Sequence, residues 1–236
     1  MRRLDQMKLQ MQAVDLLRLL HRRFSYRQLE ELTGTPRSVL ALYTTGVRVP
    51  TPEKAQAIIE SILNKINPTS LLMTRINSVR GLGDWQELVL DPLILKITAL
   101  WISRMYRGAV SKVLSAETVG VPLATAISLE LEADLVLARR APDDPRREYI
   151  RGEAGEPPFN MKTFYVQAGS IAPGDKVLLV DDLARTGMTL EALAKIVREA
   201  RAKAVAAVVM VALGREWRRR LEAQGVRELY AFIEIV

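Results

Sequence analysis

Apolar positions in the first 66 residues recur at helical spacing. The segment from Leu9 to Leu20 places its apolar side chains near one face, which predicts an amphipathic helix. Capping and stop residues predict three further helices, at residues 26–32, 36–45 and 52–64. An Asn-Pro pair within 64–70 marks the expected end of this all-helical region.

The rest of the chain alternates between short apolar runs and amphipathic segments. Such alternation is typical of a parallel sheet covered by helices on both faces. Strands are predicted at 112–115, 135–139, 176–180, 205–211 and 229–236, and helices at 92–105, 120–131, 189–202 and 215–223. The polar segment 141–160, with four prolines, predicts a long mobile loop. We therefore expect a small all-α domain at 1–66, a linker at 67–84, and an α/β domain with a mainly parallel sheet at 85–236.

The amino-acid composition excludes several kinds of functional site and argues against a membrane location. The chain has 236 residues, no cysteine and one histidine, which excludes disulfides, thiolate zinc sites, cysteine nucleophiles and multi-histidine metal centres. We therefore expect no metal site made by the protein alone. No apolar run approaches the ~20 residues that a membrane span needs. The charged N-terminal segment is unlike a signal peptide, so we expect a cytoplasmic protein without membrane contact.

Positive charge is concentrated near the N-terminus. The formal net charge is +7, and residues 1–65 hold 11 basic and 6 acidic side chains, a net charge of +5. Such a basic region favours a polyanionic partner. A solvated basic face would carry the same charge, so the choice between the two depends on the pattern of residues.

Residues 25–46 have the spacing of a helix-turn-helix. Leu29 and Leu32 would face the core, Gly34 would permit the sharp turn, and Leu40 and Tyr43 would anchor the second helix. The side chains that would then point outward from the second helix are Arg37, Ser38, Ala41 and Leu42. An arginine at this position can bond guanine bidentately, and a serine can bond either base.

This stretch resembles the phage-repressor and Cro-type helix-turn-helix family over residues 7–64. The resemblance implies binding of double-stranded DNA through the four outward side chains. Glu30 departs from the family, which usually has a small alanine there, so this glutamate must point partly outward. The alternative is an ordinary helical hairpin used for packing or dimerisation.

The strongest motif lies at 177–190, where a buried strand leads into two acids and a short loop before a helix. The carboxylates of Asp181 and Asp182 can accept hydrogen bonds from two vicinal hydroxyls of a ribose. Gly187 lets the backbone approach a ligand, while Thr186 and Thr189 add hydroxyl donors. Backbone N–H groups at the start of such a helix favour a phosphate.

This motif resembles the type I phosphoribosyltransferases, and the resemblance covers residues 85–236. It implies binding of phosphoribosyl pyrophosphate or a related phosphosugar or nucleotide, with Asp181 and Asp182 on the ribose hydroxyls. The 5-phosphate would lie in the loop formed by Ala184, Arg185, Thr186, Gly187, Met188 and Thr189. The pyrophosphate would lie at a second turn that includes Ala116, Glu117 and Gly120. Mg²⁺ is the one cofactor that such a ligand could bring.

Two departures from this family favour ligand binding over turnover. Arg185 stands where the family often has serine or threonine. The segment from Arg139 to Asn160 has no lysine, although orotate-type enzymes carry catalytic lysines there. We leave enzymatic activity undecided and lean toward a domain that senses its ligand without turning it over; no catalytic residue is assigned.

Together the two motifs predict a ligand-responsive transcription regulator. The combination resembles an archaeal group of regulators with a helix-turn-helix and an orotate-phosphoribosyltransferase-like domain. That family usually dimerises, and two half-sites on DNA require two reading heads, so we expect a homodimer. The alternative is an active purine or pyrimidine phosphoribosyltransferase whose helical region serves assembly.

Overall fold

The computed structural model describes residues 2–76, 89–156 and 160–235. Its N-terminal region contains the four helices expected from the sequence and one more. They are α1 (Arg3–His21), α2 (Tyr26–Thr33), α3 (Arg37–Thr45), α4 (Pro52–Lys65) and α5 (Pro68–Ile76). Among the described residues, no helix combines the length and the hydropathy that a membrane span requires.

Side-chain caps and glycines define the ends of these helices. The Ser25 side chain accepts a hydrogen bond from the Gln28 backbone N–H, and Thr51 caps α4 in the same way. Gly34 and Gly46 end α2 and α3 in the left-handed conformation, with φ of +63° and +79°. The helix boundaries predicted from these residues are therefore confirmed to within one residue at both ends of α2 and α3.

Part of the expected linker is helical. Within 67–84, the structure describes 67–76, and α5 occupies 68–76. Thr69 donates a hydrogen bond from its hydroxyl to the Phe232 carbonyl, so α5 is attached to the last strand. The division into two domains separated by a linker stays a prediction.

The remaining elements form a five-stranded parallel sheet with helices on both faces. Its strands lie in the order β2-β1-β5-β6-β7, and a separate hairpin pairs β3 with β4. The strands are β1 (Lys112–Ala116), β2 (Asp134–Ala138), β3 (Tyr149–Glu156), β4 (Asn160–Gln167), β5 (Lys176–Ala184), β6 (Lys203–Leu213) and β7 (Glu228–Ile235). The helices are α6 (Pro92–Tyr106), α7 (Val121–Leu131), α8 (Met188–Glu199) and α9 (Glu216–Ala223). The expected α/β architecture with a mainly parallel sheet is confirmed.

The expectation of a long loop at 141–160 is wrong from residue 149 onward, whereas 141–148 contain no helix or strand. Residues 149–156 form β3, which pairs antiparallel with β4. The small or apolar residues Ile150, Gly152 and Ala154 occupy every second position and face inward, while Arg151 and Glu153 alternate with them. In the sequence, the charged residues at the outward positions and the prolines of the segment obscure this two-residue alternation.

One hydrophobic core joins the helical region to the sheet. Alternate residues of β5 serve its two faces, with Val177 and Leu179 on one side and Leu178 and Val180 on the other. Leu178 and Val180 belong to one buried cluster that also contains residues of α6, of α4 and of α1, for example Leu16 on α1. The helical region is therefore packed directly against the α/β domain.

A buried ion pair lies where the two regions meet. Glu130, near the end of α7, accepts hydrogen bonds from Lys96 Nζ at 2.5 Å and from Gln12 Nε2 at 2.6 Å. Its side chain is 9% exposed. At the surface nearby, Lys8 pairs with Glu132 at 2.5 Å. These contacts connect α1 to the helix that begins just after β1.

We predict that Glu130→Ala lowers the free energy of unfolding by about 3 kcal/mol, because it leaves the ammonium of Lys96 without its buried partner. Glu132→Ala is the matched control, since its ion pair is exposed and its loss should cost less than about 1 kcal/mol. Urea denaturation of both variants measures the difference. Equal losses would contradict a structural role for Glu130.

Candidate functional site

The candidate site is a cleft at the carboxyl ends of β1 and β5. These two strands are parallel neighbours, and Ser115 pairs with Val180. The residues that follow both strands therefore lie along the same edge of the sheet, where ligands of open α/β sheets bind. The cleft has a volume of about 360 Å³. It is lined by residues 116–119 and 181–190, together with Arg140, Lys162 and Phe164.

Strand β5 extends further than expected and carries both acids. It runs to Ala184, so Asp181 and Asp182 lie within the strand and not after it. Both side chains are buried, and the Asp182 backbone N–H donates to Asp181 Oδ1 at 3.0 Å. Pairing with Val209 of β6 holds Asp181 in the sheet. The two carboxyl groups are thus fixed side by side at the base of the cleft.

The environment of Asp181 opposes its ionisation. Burial raises the pKa of its carboxyl well above the ordinary value of 3.8, and the neighbouring Asp182 carboxyl raises it further. The Asp182 backbone N–H and the positive charge of Lys162 act in the opposite direction but do not cancel the effect. A buried acid of this kind becomes a good acceptor once a ligand supplies hydroxyl donors or a nearby positive charge.

Gly120 allows the turn after β1 to approach β5 closely. A Cβ placed on Gly120 would lie 2.9 Å from Ser115 Oγ and 3.1 Å from Asp181 Oδ1. Any larger residue would therefore displace one of these side chains. Glu117 and Thr118, on the same turn, line the cleft, and their peptide bond is cis. Glu117 also forms an ion pair with Arg139 at 3.6 Å.

The loop between β5 and α8 lines the cleft where the helix begins, and the first backbone N–H groups of a helix have no partner within it. Gly187 has a φ of +80°, and a Cβ there would lie 2.5 Å from the Trp217 Cα, so only glycine fits. No side chain caps the helix at Gly187, and the helix begins at Met188. Thr186 and Thr189 line the cleft beside these amides. The predicted loop residues 184–189 are thus brought together with the two acids and with Ala116 and Glu117.

Lys162 lines this cleft and was missed by the sequence analysis. Its Nζ donates to Thr189 Oγ1 at 2.9 Å. Lys162 lies two residues beyond the lysine-free segment 139–160, on the second strand of the hairpin. In the sequence, Lys162 stands two residues before Phe164 and four before Val166, so a strand would place all three on one face. This can be recognised only once β3 and β4 are known to pair.

The predicted DNA-contacting residues lie together on α3. Arg37, Ser38 and Leu42 are exposed and Ala41 is half-buried, whereas Leu40 is fully buried. These exposures agree with the outward and inward faces expected from the sequence. Glu30 is half-buried.

Comparison with known proteins identifies relatives of the α/β domain. A model of the phosphoribosyl transferase domain matches residues 86–228. An HGPRTase-like protein 2 from Haloferax volcanii is 37% identical over 109 residues, which span 44% of this chain and 56% of the relative, little more than half its length. An orotate phosphoribosyltransferase from Pyrococcus abyssi is 33% identical over 153 residues, which span 64% of this chain and 75% of the relative.

Solved structures share the fold. An adenine phosphoribosyltransferase from Thermoanaerobacter pseudethanolicus superposes with a TM-score of 0.55 at 20% identity, covering 62% of this chain and 84% of the other. The adenine enzyme from Trypanosoma brucei, in complex with AMP, pyrophosphate and ribose-5-phosphate, gives 0.54 at 19% identity, covering 65% of this chain and 68% of that chain. At these identities the likeness establishes the α/β fold of the domain.

We predict that Asp181→Asn stabilises the ligand-free protein at pH 7. The raised pKa of Asp181 means that its ionised form opposes folding at neutral pH, and this penalty disappears as the pH falls toward the ordinary value of 3.8. The variant should therefore melt at a higher temperature at pH 7, by roughly 2–4 °C for each kcal/mol relieved, with the difference shrinking toward pH 4. Calorimetry at both pH values measures this, and a lower Tm at pH 7 would contradict it.

Proposed function

Because the chain belongs to the phosphoribosyl transferase domain family, we propose that its cleft binds phosphoribosyl pyrophosphate and transfers the phosphoribosyl group to a nucleobase. The observation that carries this proposal is the convergence of three features at one edge of the sheet. They are the buried pair Asp181–Asp182, the loop at 184–189 that leads into an uncapped helix, and the turn at 116–120.

Each part of the cleft suits one part of this ligand. The carboxyl groups of Asp181 and Asp182 would accept hydrogen bonds from the two ribose hydroxyls. The amides and hydroxyls of 184–189 would hold the 5-phosphate, as helix N-termini favour anions. The turn at 116–120 would receive the pyrophosphate. Its position one strand away from the acids supports this order of the groups along the cleft.

Magnesium fits this site only together with the ligand. Among the residues that the structure describes, no group of three or more acidic or histidine side chains is arranged to hold a metal. Asp181 and Asp182 offer carboxylate oxygens, and Mg²⁺ is usually held by one or two carboxylates plus substrate phosphates. When bound, it would neutralise charge on the departing pyrophosphate.

The hairpin supplies the cleft with a cationic side chain that the sequence expectation lacked. The expectation of a sensor rested on a lysine-free loop at 139–160, but Lys162 from the same hairpin lines the cleft. Several arginines of that segment are engaged elsewhere: Arg146 and Arg147 pair with Asp144, and Arg151 pairs with Glu153. Lys162 thus supplies a positive charge beside the loop at 184–189, which supports binding of the anionic substrate.

We predict that, in the presence of Mg²⁺, the protein releases pyrophosphate from phosphoribosyl pyrophosphate when at least one nucleobase is added, at about 1 s⁻¹ or faster. The nucleobases to be tested are adenine, guanine, hypoxanthine, xanthine, uracil and orotate.

Asp182→Asn should weaken binding of phosphoribosyl pyrophosphate about tenfold, because a charge-assisted hydrogen bond becomes a neutral one. A coupled pyrophosphate assay measures turnover, and titration calorimetry measures binding. Binding without turnover on the whole panel would contradict transfer and restore the sensor hypothesis.

The second candidate function is DNA-binding regulation with the cleft as effector site. It is supported by the sharp turn at Gly34 between α2 and α3, the exposed Arg37 and Ser38, and the net charge of +5 over residues 1–65. A homodimer would supply the two reading heads that paired half-sites need. The shared core between the helical region and the sheet offers a physical route for ligand binding to alter the reading heads.

For this candidate, we predict that Arg37→Ala weakens binding to the native promoter by about 1–3 kcal/mol and relaxes its sequence preference. Arg219→Ala is the matched control, because this arginine is also exposed but lies on α9. Electrophoretic mobility shifts at several salt concentrations separate base contacts from phosphate contacts. Unchanged affinity of the Arg37 variant would remove α3 as a recognition helix.

A further inference from the structure

Lys162 is an exposed residue of β4 that lines the cleft. Phe164 and Val166 follow it on the inward face of β4 and are almost fully buried. Since side chains alternate along a strand, Lys162 lies on the same face. The charged end of Lys162 therefore lies at the solvent edge of the cleft, where a ligand can reach it.

A close contact fixes the hairpin on α8. A Cβ placed on Gly152 would lie 2.2 Å from the Ala192 carbonyl oxygen and 2.6 Å from Ile196 Cγ1. The missing side chain therefore lets β3 lie flush against the helix. Lys195 of α8 donates to the Glu153 carbonyl at 2.9 Å and strengthens this contact. The hairpin is thereby held at a defined position relative to the start of α8.

The ammonium group of Lys162 lies at the first turn of α8. Its Nζ donates to the hydroxyl of Thr189, the second residue of the helix, at 2.9 Å. No carboxylate of the described residues forms an ion pair with it, while its charge acts on buried Asp181 from across the cleft. An ammonium has three donors. Its charge and two of those donors therefore remain available to an anion in the loop at 184–189.

We propose that Lys162 is a binding residue for the 5-phosphate, acting from the hairpin together with the amides and hydroxyls of 184–189. The Thr189 hydroxyl orients the ammonium, and the contact at Gly152 sets its distance from the loop. This inference rests on the proposed function, since it names a further residue of the same ligand site. The ligand group it recognises is a phosphate monoester on a sugar, and not the pyrophosphate at the other end of the cleft.

The test compares Lys162→Met with Lys162→Arg, and with Lys203→Met as the matched control at the exposed start of β6. Titration calorimetry with ribose 5-phosphate and with inorganic pyrophosphate measures the two ends of the cleft separately. We expect Lys162→Met to weaken ribose 5-phosphate roughly 10- to 100-fold and pyrophosphate less than about threefold. Lys162→Arg should restore most of the affinity because it keeps the charge, and Lys203→Met should bind like the unaltered protein.

The outcomes separate this inference from the proposed function. If the unaltered protein binds both ligands and Lys162→Met binds ribose 5-phosphate equally well, Lys162 is not a phosphate-binding residue and the proposed function stands. If pyrophosphate alone is weakened, the assignment to the 5-phosphate is wrong. If the unaltered protein binds neither ligand nor phosphoribosyl pyrophosphate, the proposed function fails and this inference fails with it.

Discussion

Strands β1 and β5 pair in parallel, with Ser115 beside Val180, and the site depends on this pairing. Parallel neighbours leave the sheet at the same edge, so the turn after β1 and the loop after β5 face each other across a narrow cleft. Gly120 permits the approach, because a Cβ there would press on Ser115 and Asp181. A shift of one residue in this register would turn Asp181 toward the opposite face of the sheet.

The residues that form the site lower the stability of the folded, ligand-free protein. Asp181 and Asp182 are neighbouring acids in a buried strand, and the pKa of Asp181 is raised by burial and by its neighbour. This pair of acids contributes no apolar packing. Such a local loss of stability is typical of binding and catalytic sites. The buried ion pair of Glu130 and Lys96 has a different role, because it holds two helices together.

Local signals explain why much of the fold could be predicted. The caps at Ser25 and Thr51 and the left-handed glycines Gly34 and Gly46 act within one helical turn, so the sequence alone reveals them. The acid pair and the following loop also form one continuous motif. The hairpin could not be predicted, because its inward face is small and apolar only at alternate positions among charges. Lys162 reaches Thr189 across 27 positions, and such a contact requires the tertiary structure. The packing of the helical region on the sheet was likewise invisible, since periodicity shows which face is buried but not what covers it.

We infer that the cleft at the ends of β1 and β5 holds a phosphoribosyl group. A crystal structure of the full chain with ribose 5-phosphate would show where this ligand binds. We expect the phosphate within hydrogen-bonding distance of the amides of 186–189, and the ribose hydroxyls on the carboxyl groups of Asp181 and Asp182. A phosphate bound at another surface, with the loop at 184–189 empty at saturating ligand, would contradict it.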